Sequence, residues 1–311
     1  MNKPTFQRRT KWNDHYEIVW RLRTDLLKKL YEGGERHPLR LLRLYESILR
    51  LSSGAPGIEG FQEDDLYADH LHSNVRLENG STVIDPAERL PTGPKVLGSV
   101  SFLDDWVNFS RLFSTLYMPF LVDFLRKNHF DAVVELGSGL GVNAVRLFYQ
   151  GGPKVPYYVG EFAQSGTECA QFFSEICDEL TIIPFRYDHL CPDLSIVQEN
   201  SRVFVYSIHS IEQVPEIELN LFEEIVSVAE HVTCMHIEPF GWQFAHLAGN
   251  MSKVDEAQKD VFLKNGWNVN FFPKLSDANI RNIINLRYVG KNIFPSFDLT
   301  NPSSLAHWET P

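Results

Sequence analysis

The segment Asp131-Ala-Val-Val-Glu135-Leu-Gly137-Ser138-Gly139-Leu-Gly141 sets a carboxylate at the end of a short apolar run, followed by three glycines at alternate positions. Val142–Tyr149 then repeats apolar residues at helical spacing, so the whole reads as strand, glycine turn and helix. Glycines let a backbone approach a ligand closely, and a helix start offers free N–H groups. A pyrophosphate-binding turn has the spacing G-x-G-x-x-G. Here the third glycine falls one residue early, Val142 follows it, and Glu135 is a poor neighbour for an anion. A carboxylate at that point suits a cation. A ligand that carries an ammonium, a sulfonium and an adenosine fits these residues better than a dinucleotide does.

Three further clusters follow the ends of apolar runs. Tyr157-Tyr-Val-Gly leads into Glu161 and Phe162, with the acid 24 positions beyond Gly137. Phe185-Arg-Tyr leads into Asp188, His189 and Leu190, and Val203-Phe-Val-Tyr into Ser207, Ile208, His209, Ser210, Ile211, Glu212 and Gln213. A fifth run, Cys234-Met-His236-Ile-Glu238, ends in a second histidine and acid. An acid such as Glu161 can accept hydrogen bonds from both hydroxyls of a ribose. A histidine titrates near neutral pH, which makes His209 or His236 a candidate general base, with Glu238 a carboxylate alternative.

These clusters need elements that bring them to one edge. From residue 131 onward strands and helices alternate, which predicts a mostly parallel sheet with helices on both faces. The strands are predicted at 131–136, 156–161, 181–187, 202–208, 232–238, 283–290 and 303–308, and the helices at about 141–150, 165–178, 216–229 and 254–265. Ligands of open α/β sheets bind beyond the carboxyl ends of the strands, where strand order reverses, and that is where the four clusters fall. Upstream, residues 14–52 read as two amphipathic helices separated by Gly33-Gly34 and Pro38. Residues 53–100 read as an extended connector with a hairpin at Val75–Ile84, since Asn79-Gly80 suits a type I′ turn. An aromatic helical stretch is predicted over about 102–128. The domain division drawn from this is a helical N-terminal cap and connector at 1–100 and a sheet domain at 101–311.

The run Glu135-x-Gly137-x-Gly139-x-Gly141 resembles the E-x-G-x-G-x-G signature of class I S-adenosylmethionine-dependent methyltransferases, and the resemblance extends over roughly 105–311. It implies a seven-stranded, mostly parallel Rossmann-like α/β sheet whose last two strands form a hairpin pair. The segment Asn301–Glu309 is similar to the closing antiparallel strand of such enzymes. The implied cofactor is S-adenosylmethionine, held by Glu135, Gly137, Ser138, Gly139, Gly141 and Asn143 at the turn. Glu161 and Phe162 would serve the ribose, Asp188 and His189 the adenine, and Ser207 and Ile208 the side where the methyl group points. The stretch after the fourth strand is similar to V-L-E-H of many small-molecule methyltransferases, with Gln213 where the family has histidine. His209, Glu212, His236 and Glu238 are then the candidate catalytic residues.

Composition narrows the acceptor. A net charge of −11 argues against a general nucleic-acid binder, and no run of 18 apolar residues appears, so no membrane association and a soluble, cytoplasmic protein are expected. Cys234 and His236 share a strand face but lack a second ligand pair, and the metal-ligand pattern of catechol-type enzymes is missing, so no metal is expected. The expected function is metal-independent O- or N-methyl transfer to a small molecule, sugar or peptide of a biosynthetic pathway, by a possible homodimer. Residues 1–50 carry twelve Lys/Arg against six acids. That basic arm leaves open a macromolecular protein or peptide substrate, and a non-catalytic cofactor-binding accessory protein is the other alternative.

Overall fold

A computed structural model of the chain describes residues 11–51, 75–78, 81–84, 95–97, 100–102, 117–197, 200–294 and 302–311. The chain divides into two compact units, one of residues 9–115 and one of residues 116–311 together with 1–8.

In the first unit, α1 (Lys11–Glu32) and α2 (Pro38–Leu51) stop and start where Gly33-Gly34 and Pro38 require. Gly34 has a φ of 115°, a conformation that closes the turn between them. Val19, Leu26 and Leu27 of α1 and Leu41, Leu42 and Tyr45 of α2 are buried at helical spacing. The hairpin expected at 75–84 is present as β1 (Val75–Glu78) and β2 (Ser81–Ile84), paired antiparallel with Glu78 opposite Ser81. Its Asn-Gly turn lies outside the described residues. A second hairpin, β3 (Lys95–Leu97) and β4 (Val100–Phe102), lies in what reads from sequence as connector. Of the aromatic stretch, the part described is α3 (Tyr117–Lys127), which belongs to the second unit; residues 103–116 lie outside the described residues.

The second unit is the seven-stranded α/β sheet that the sequence predicts. Its strands are β5 (Ala132–Leu136), β6 (Tyr157–Glu161), β7 (Ile182–Arg186), β8 (Asn200–Ile208), β9 (Ala229–Glu238), β10 (Asn285–Phe294) and β11 (Ser303–Glu309), in the order β10-β11-β9-β8-β5-β6-β7. β5 to β9 run parallel, and β11 lies antiparallel between β9 and β10. All five residues of β5 are buried and Val203–Tyr206 of β8 are fully so, as strands covered on both faces must be. Strand order reverses at β5, because β6 pairs with one side of it and β8 with the other.

The helices are α4 (Val142–Tyr149), α5 (Gln164–Ile176), α6 (Asn220–Val226), α7 (Gly241–Leu247), α8 (Lys253–Asn265) and α9 (Phe271–Ile280). α7 and α9 were not anticipated. α6 is shorter than the 216–229 expected, because the chain bends at Val214-Pro215 and stays non-helical until Asn220. A core of Phe222, Phe271 and Trp308 packs beside His236 with ring centroids 5.1–6.3 Å from the imidazole. Among the described residues, no helix is long and apolar enough to cross a membrane.

Candidate cofactor and active site

The glycine turn after β5 has the conformation its spacing demands. Gly137, Gly139 and Gly141 have φ of 71°, 60° and 73°, all in the left-handed region that side chains disfavour. Space is also short. A Cβ on Gly137 would meet the Ser210 side chain at 2.4 Å, and one on Gly141 would meet Ala170 at 3.0 Å. The amides of Gly137 and Ser138 both donate to the Gly160 carbonyl, each at 2.9 Å, which ties the turn to β6. The Ser138 hydroxyl is buried without a hydrogen-bond partner among the described residues.

Glu135 closes β5 inside the protein. Its Oε1 accepts from the Asn143 side-chain amide at 2.7 Å, and Asn143 Oδ1 accepts from Arg146 at 3.1 Å. Burial pushes the Glu135 carboxyl up to about 8, opposed by the Asn143 bond and the nearby Tyr206 hydroxyl and reinforced by the charge of Glu161. Tyr206 is the register partner of Glu135 on β8. Neither its hydroxyl nor Glu135 Oε2 reaches hydrogen-bond geometry with any described residue. A buried carboxyl oxygen without a donor is costly, and a cationic ligand would supply one.

Glu161 is buried at the end of β6. Its Oε2 accepts from the Gly139 amide at 2.8 Å and its Oε1 from the Ala163 amide at 3.0 Å. The acid therefore shapes the glycine turn and the start of α5. Arg186, its register partner on β7, lies over the Phe162 ring at 5.7 Å.

After β7, Asp188 Oδ1 accepts the Leu190 amide at 2.8 Å in a local turn. His189 is buried, and its Nε2 lies 3.1 Å from the Ser210 hydroxyl. That hydroxyl donates to the Leu136 carbonyl at 2.8 Å, so the imidazole donates to it through Nε2–H. Nδ1 is then a buried acceptor without a partner among the described residues. Burial holds the His189 imidazole down to about 3, so it is neutral.

The ends of β8 and β9 form one polar network. Cys234 Sγ lies 3.3 Å from His236 Nε2, and His236 Nδ1 lies 2.9 Å from the Ser207 hydroxyl. That hydroxyl donates to Glu238 Oε1 at 2.8 Å, which assigns Nδ1–H to His236 and leaves its Nε2 to accept from the thiol. Glu238 also takes the backbone amides of Ser210, Ile211 and Glu212, at 3.1–3.4 Å. Burial and the charge of Glu212 push its carboxyl up to about 7, against the pull of His209 and these donors. Burial holds His236 down to about 3. Both residues thus lie where the sequence puts them, at the end of β9, but they face inward. His236 is 0% exposed and Glu238 2%.

His209 differs. It has a φ of 49°, uncommon for a residue with a Cβ. Its Nε2 bonds the Ser303 hydroxyl, and its Nδ1 is 3.4 Å from Glu212 Oε2. Its side chain is 23% exposed against 7% for Glu212. Ser303 was missed in the sequence, since nothing local marks a serine 94 positions downstream as a partner of His209. Ile208 pairs with Ile237 just before this group.

No family model matches the chain, and no curated protein matches its sequence. Solved structures resemble it at low identity. Geranyl diphosphate C-methyltransferase from Streptomyces coelicolor A3(2), with Mg2+, geranyl diphosphate and S-adenosyl-L-homocysteine, is 12% identical with a TM-score of 0.42, covering 66% of this chain and 82% of its own. The O-methyltransferase from Bacillus cereus, with S-adenosylhomocysteine, is 11% identical with a TM-score of 0.40, covering 66% and 87%. A SAM-dependent methyltransferase from Aquifex aeolicus is 14% identical with a TM-score of 0.38, covering 67% and 99%.

Proposed function

We propose that the chain is an S-adenosylmethionine-dependent methyltransferase that acts without a metal on a hydroxyl or amine of a small molecule, sugar or peptide. One observation carries the reading. At the point where strand order reverses, a buried carboxyl with an oxygen that has no hydrogen-bond donor among the described residues stands beside a turn of three left-handed glycines. That is a seat for a cation on the near side of a close-approach turn, not for a pyrophosphate. Glu135 would hold the ammonium and Glu161 the ribose hydroxyls. Asp188 and the lone Nδ1 acceptor of His189 would receive the adenine amine, and Ser138 would supply a further hydroxyl. When bound, the cofactor supplies an electrophilic methyl group; the protein's residues align the nucleophile and take its proton.

His209 is the residue suited to take that proton, because among the four catalytic candidates it alone combines partial exposure with a carboxylate at one ring nitrogen. His236 and Glu238 act instead as buried supports for the turn that carries His209 and Glu212. Calorimetry with S-adenosylmethionine and S-adenosylhomocysteine tests the binding. A labelled-methyl screen against cell extract tests the transfer and identifies the acceptor.

A further inference from the structure

Ser210 touches the ends of three other strands. Its amide donates to both oxygens of Glu238, the last residue of β9, at 3.1 Å each. Its hydroxyl donates to the carbonyl of Leu136, the last residue of β5, at 2.8 Å. The same hydroxyl lies 3.1 Å from Nε2 of His189, which follows β7. Gly137 makes room for this pair. A Cβ there would meet the Ser210 hydroxyl at 2.7 Å and His189 Nε2 at 3.1 Å, so the first glycine of the turn is required by space as well as by its φ.

This contact decides which nitrogen of His189 carries the proton. A serine hydroxyl has one hydrogen to give. The Leu136 carbonyl, which can only accept, takes it, and Glu238 Oε1 at 3.4 Å is a second acceptor. Nε2 must then donate to Ser210. Burial holds the imidazole down to about 3, so the ring is neutral and its Nδ1 is a lone pair. Tyr187 packs edge to face against the ring with centroids 5.0 Å apart, which holds its orientation. An Nδ1–H tautomer would set the Nε2 lone pair against those of the Ser210 oxygen. The result is a buried nitrogen, without a partner among the described residues, that can receive a hydrogen and cannot give one. A second acceptor placed against such a nitrogen is left unpaired, at a cost.

Resting on the methyltransferase reading above, we propose that Ser210 sets the base specificity of the cofactor site: by fixing His189 in the Nε2–H form, it selects a 6-aminopurine over a 6-oxopurine. The exocyclic amine of adenine can donate to Nδ1. A hypoxanthine base has an oxygen at that position, and two lone pairs would face each other. Ser210 acts through His189 and is a positioning residue.

Two measurements decide this. The first is nitrogen-15 NMR of the histidine rings in the ligand-free full-length protein, with His189→Gln used for assignment. His189 should be the neutral Nε2–H tautomer throughout the neutral pH range. The Nδ1–H tautomer overturns the proposal whether or not the chain binds S-adenosylmethionine. The second is calorimetry with S-adenosylhomocysteine and its deaminated counterpart, S-inosylhomocysteine. The parent should bind the deaminated form roughly 10- to 100-fold more weakly, the effect of one unpaired buried group. In Ser210→Ala, Nε2 loses its acceptor and either tautomer is open, so that ratio should fall severalfold, whereas Ser210→Thr keeps the hydroxyl and should keep the ratio. Equal binding of the two ligands by the parent, or a ratio unchanged in a folded Ser210→Ala variant, overturns the selection. Should that variant not fold, the parent's tautomer and ratio still decide. Binding of neither ligand by the parent would instead defeat the methyltransferase reading, and the base selection with it, while the NMR result alone would judge the tautomer.

Discussion

Glu161 Oε2 accepts the Gly139 amide at 2.8 Å, so the acid at the end of β6 sets the shape of the glycine turn that follows β5. With Oε1 on the Ala163 amide, one carboxylate fixes two chain turns. The acid is thus part of the support of the turn as well as a candidate ligand residue.

Glu161→Ala should therefore lower both stability and cofactor affinity. Freeing two amides costs about 1–3 kcal/mol of folding free energy, and the ligand loses its hydroxyl acceptor as well. Glu161→Gln keeps one acceptor oxygen and should fall between the two. Thermal unfolding with and without S-adenosylmethionine separates the effects. An Ala variant as stable as its parent would show that the turn holds itself.

Cofactor binding should release protons. With the Glu135 carboxyl pushed up to about 8 by burial, it is mostly protonated at pH 7 in the free protein. A cation beside it favours the ionised form. Titration calorimetry in buffers of different ionisation enthalpy should find about one proton released at pH 7, and fewer toward pH 9. Glu135→Gln should abolish the release and weaken binding. Equal proton counts in both proteins would place the ammonium elsewhere.

Much of this arrangement was legible in the sequence, for physical reasons that differ by element. The glycine turn declared itself because three left-handed residues at alternate positions favour three glycines. The parallel strands declared themselves as apolar runs covered on both faces. α7 and α9 did not, because Gly241–Leu247 is short and Phe271–Ile280 opens on Phe271-Phe272-Pro273, which breaks the expected polar stripe while Pro273 is tolerated in a first turn. The roles within the site were less legible than its location. That Glu238 collects three amides depends on the register of β9 against β8, and that Ser303 caps His209 depends on β11 entering between β9 and β10. Long-range pairing of that kind leaves no local trace.

Glu238→Ala should be among the most damaging single substitutions. It leaves three backbone amides and the Ser207 hydroxyl without their acceptor inside the protein, at about 1–3 kcal/mol for each group left unsatisfied. Glu238→Gln should be milder. Chemical denaturation measures both, and a loss under 1 kcal/mol for the Ala variant would show that the turn after β8 re-forms without it.

Stability should be greatest on the mildly acidic side of neutrality. His189 and His236 are held down to about 3 by burial, so the unfolded chain binds more protons below its histidine range and stability falls as pH drops through that window. Glu135 and Glu238 are pushed up to about 8 and about 7. Their contribution is fully present below the ordinary carboxylate range and is lost as pH rises through those values. The opposing slopes cancel between about 4.5 and 6.5. His236→Gln should flatten the acid flank and Glu135→Gln the alkaline one, in denaturation curves taken across about pH 3–9. Flanks unchanged in both variants would mean that other groups set the profile.

The central claim is that this edge of the sheet holds a sulfonium cofactor, and isothermal titration of the full chain tests it most directly. S-adenosylmethionine and S-adenosylhomocysteine should each bind at one site per chain, NAD should not bind, and Glu135→Gln should weaken both cofactor forms. Tight binding of NAD with none of S-adenosylmethionine would contradict the account.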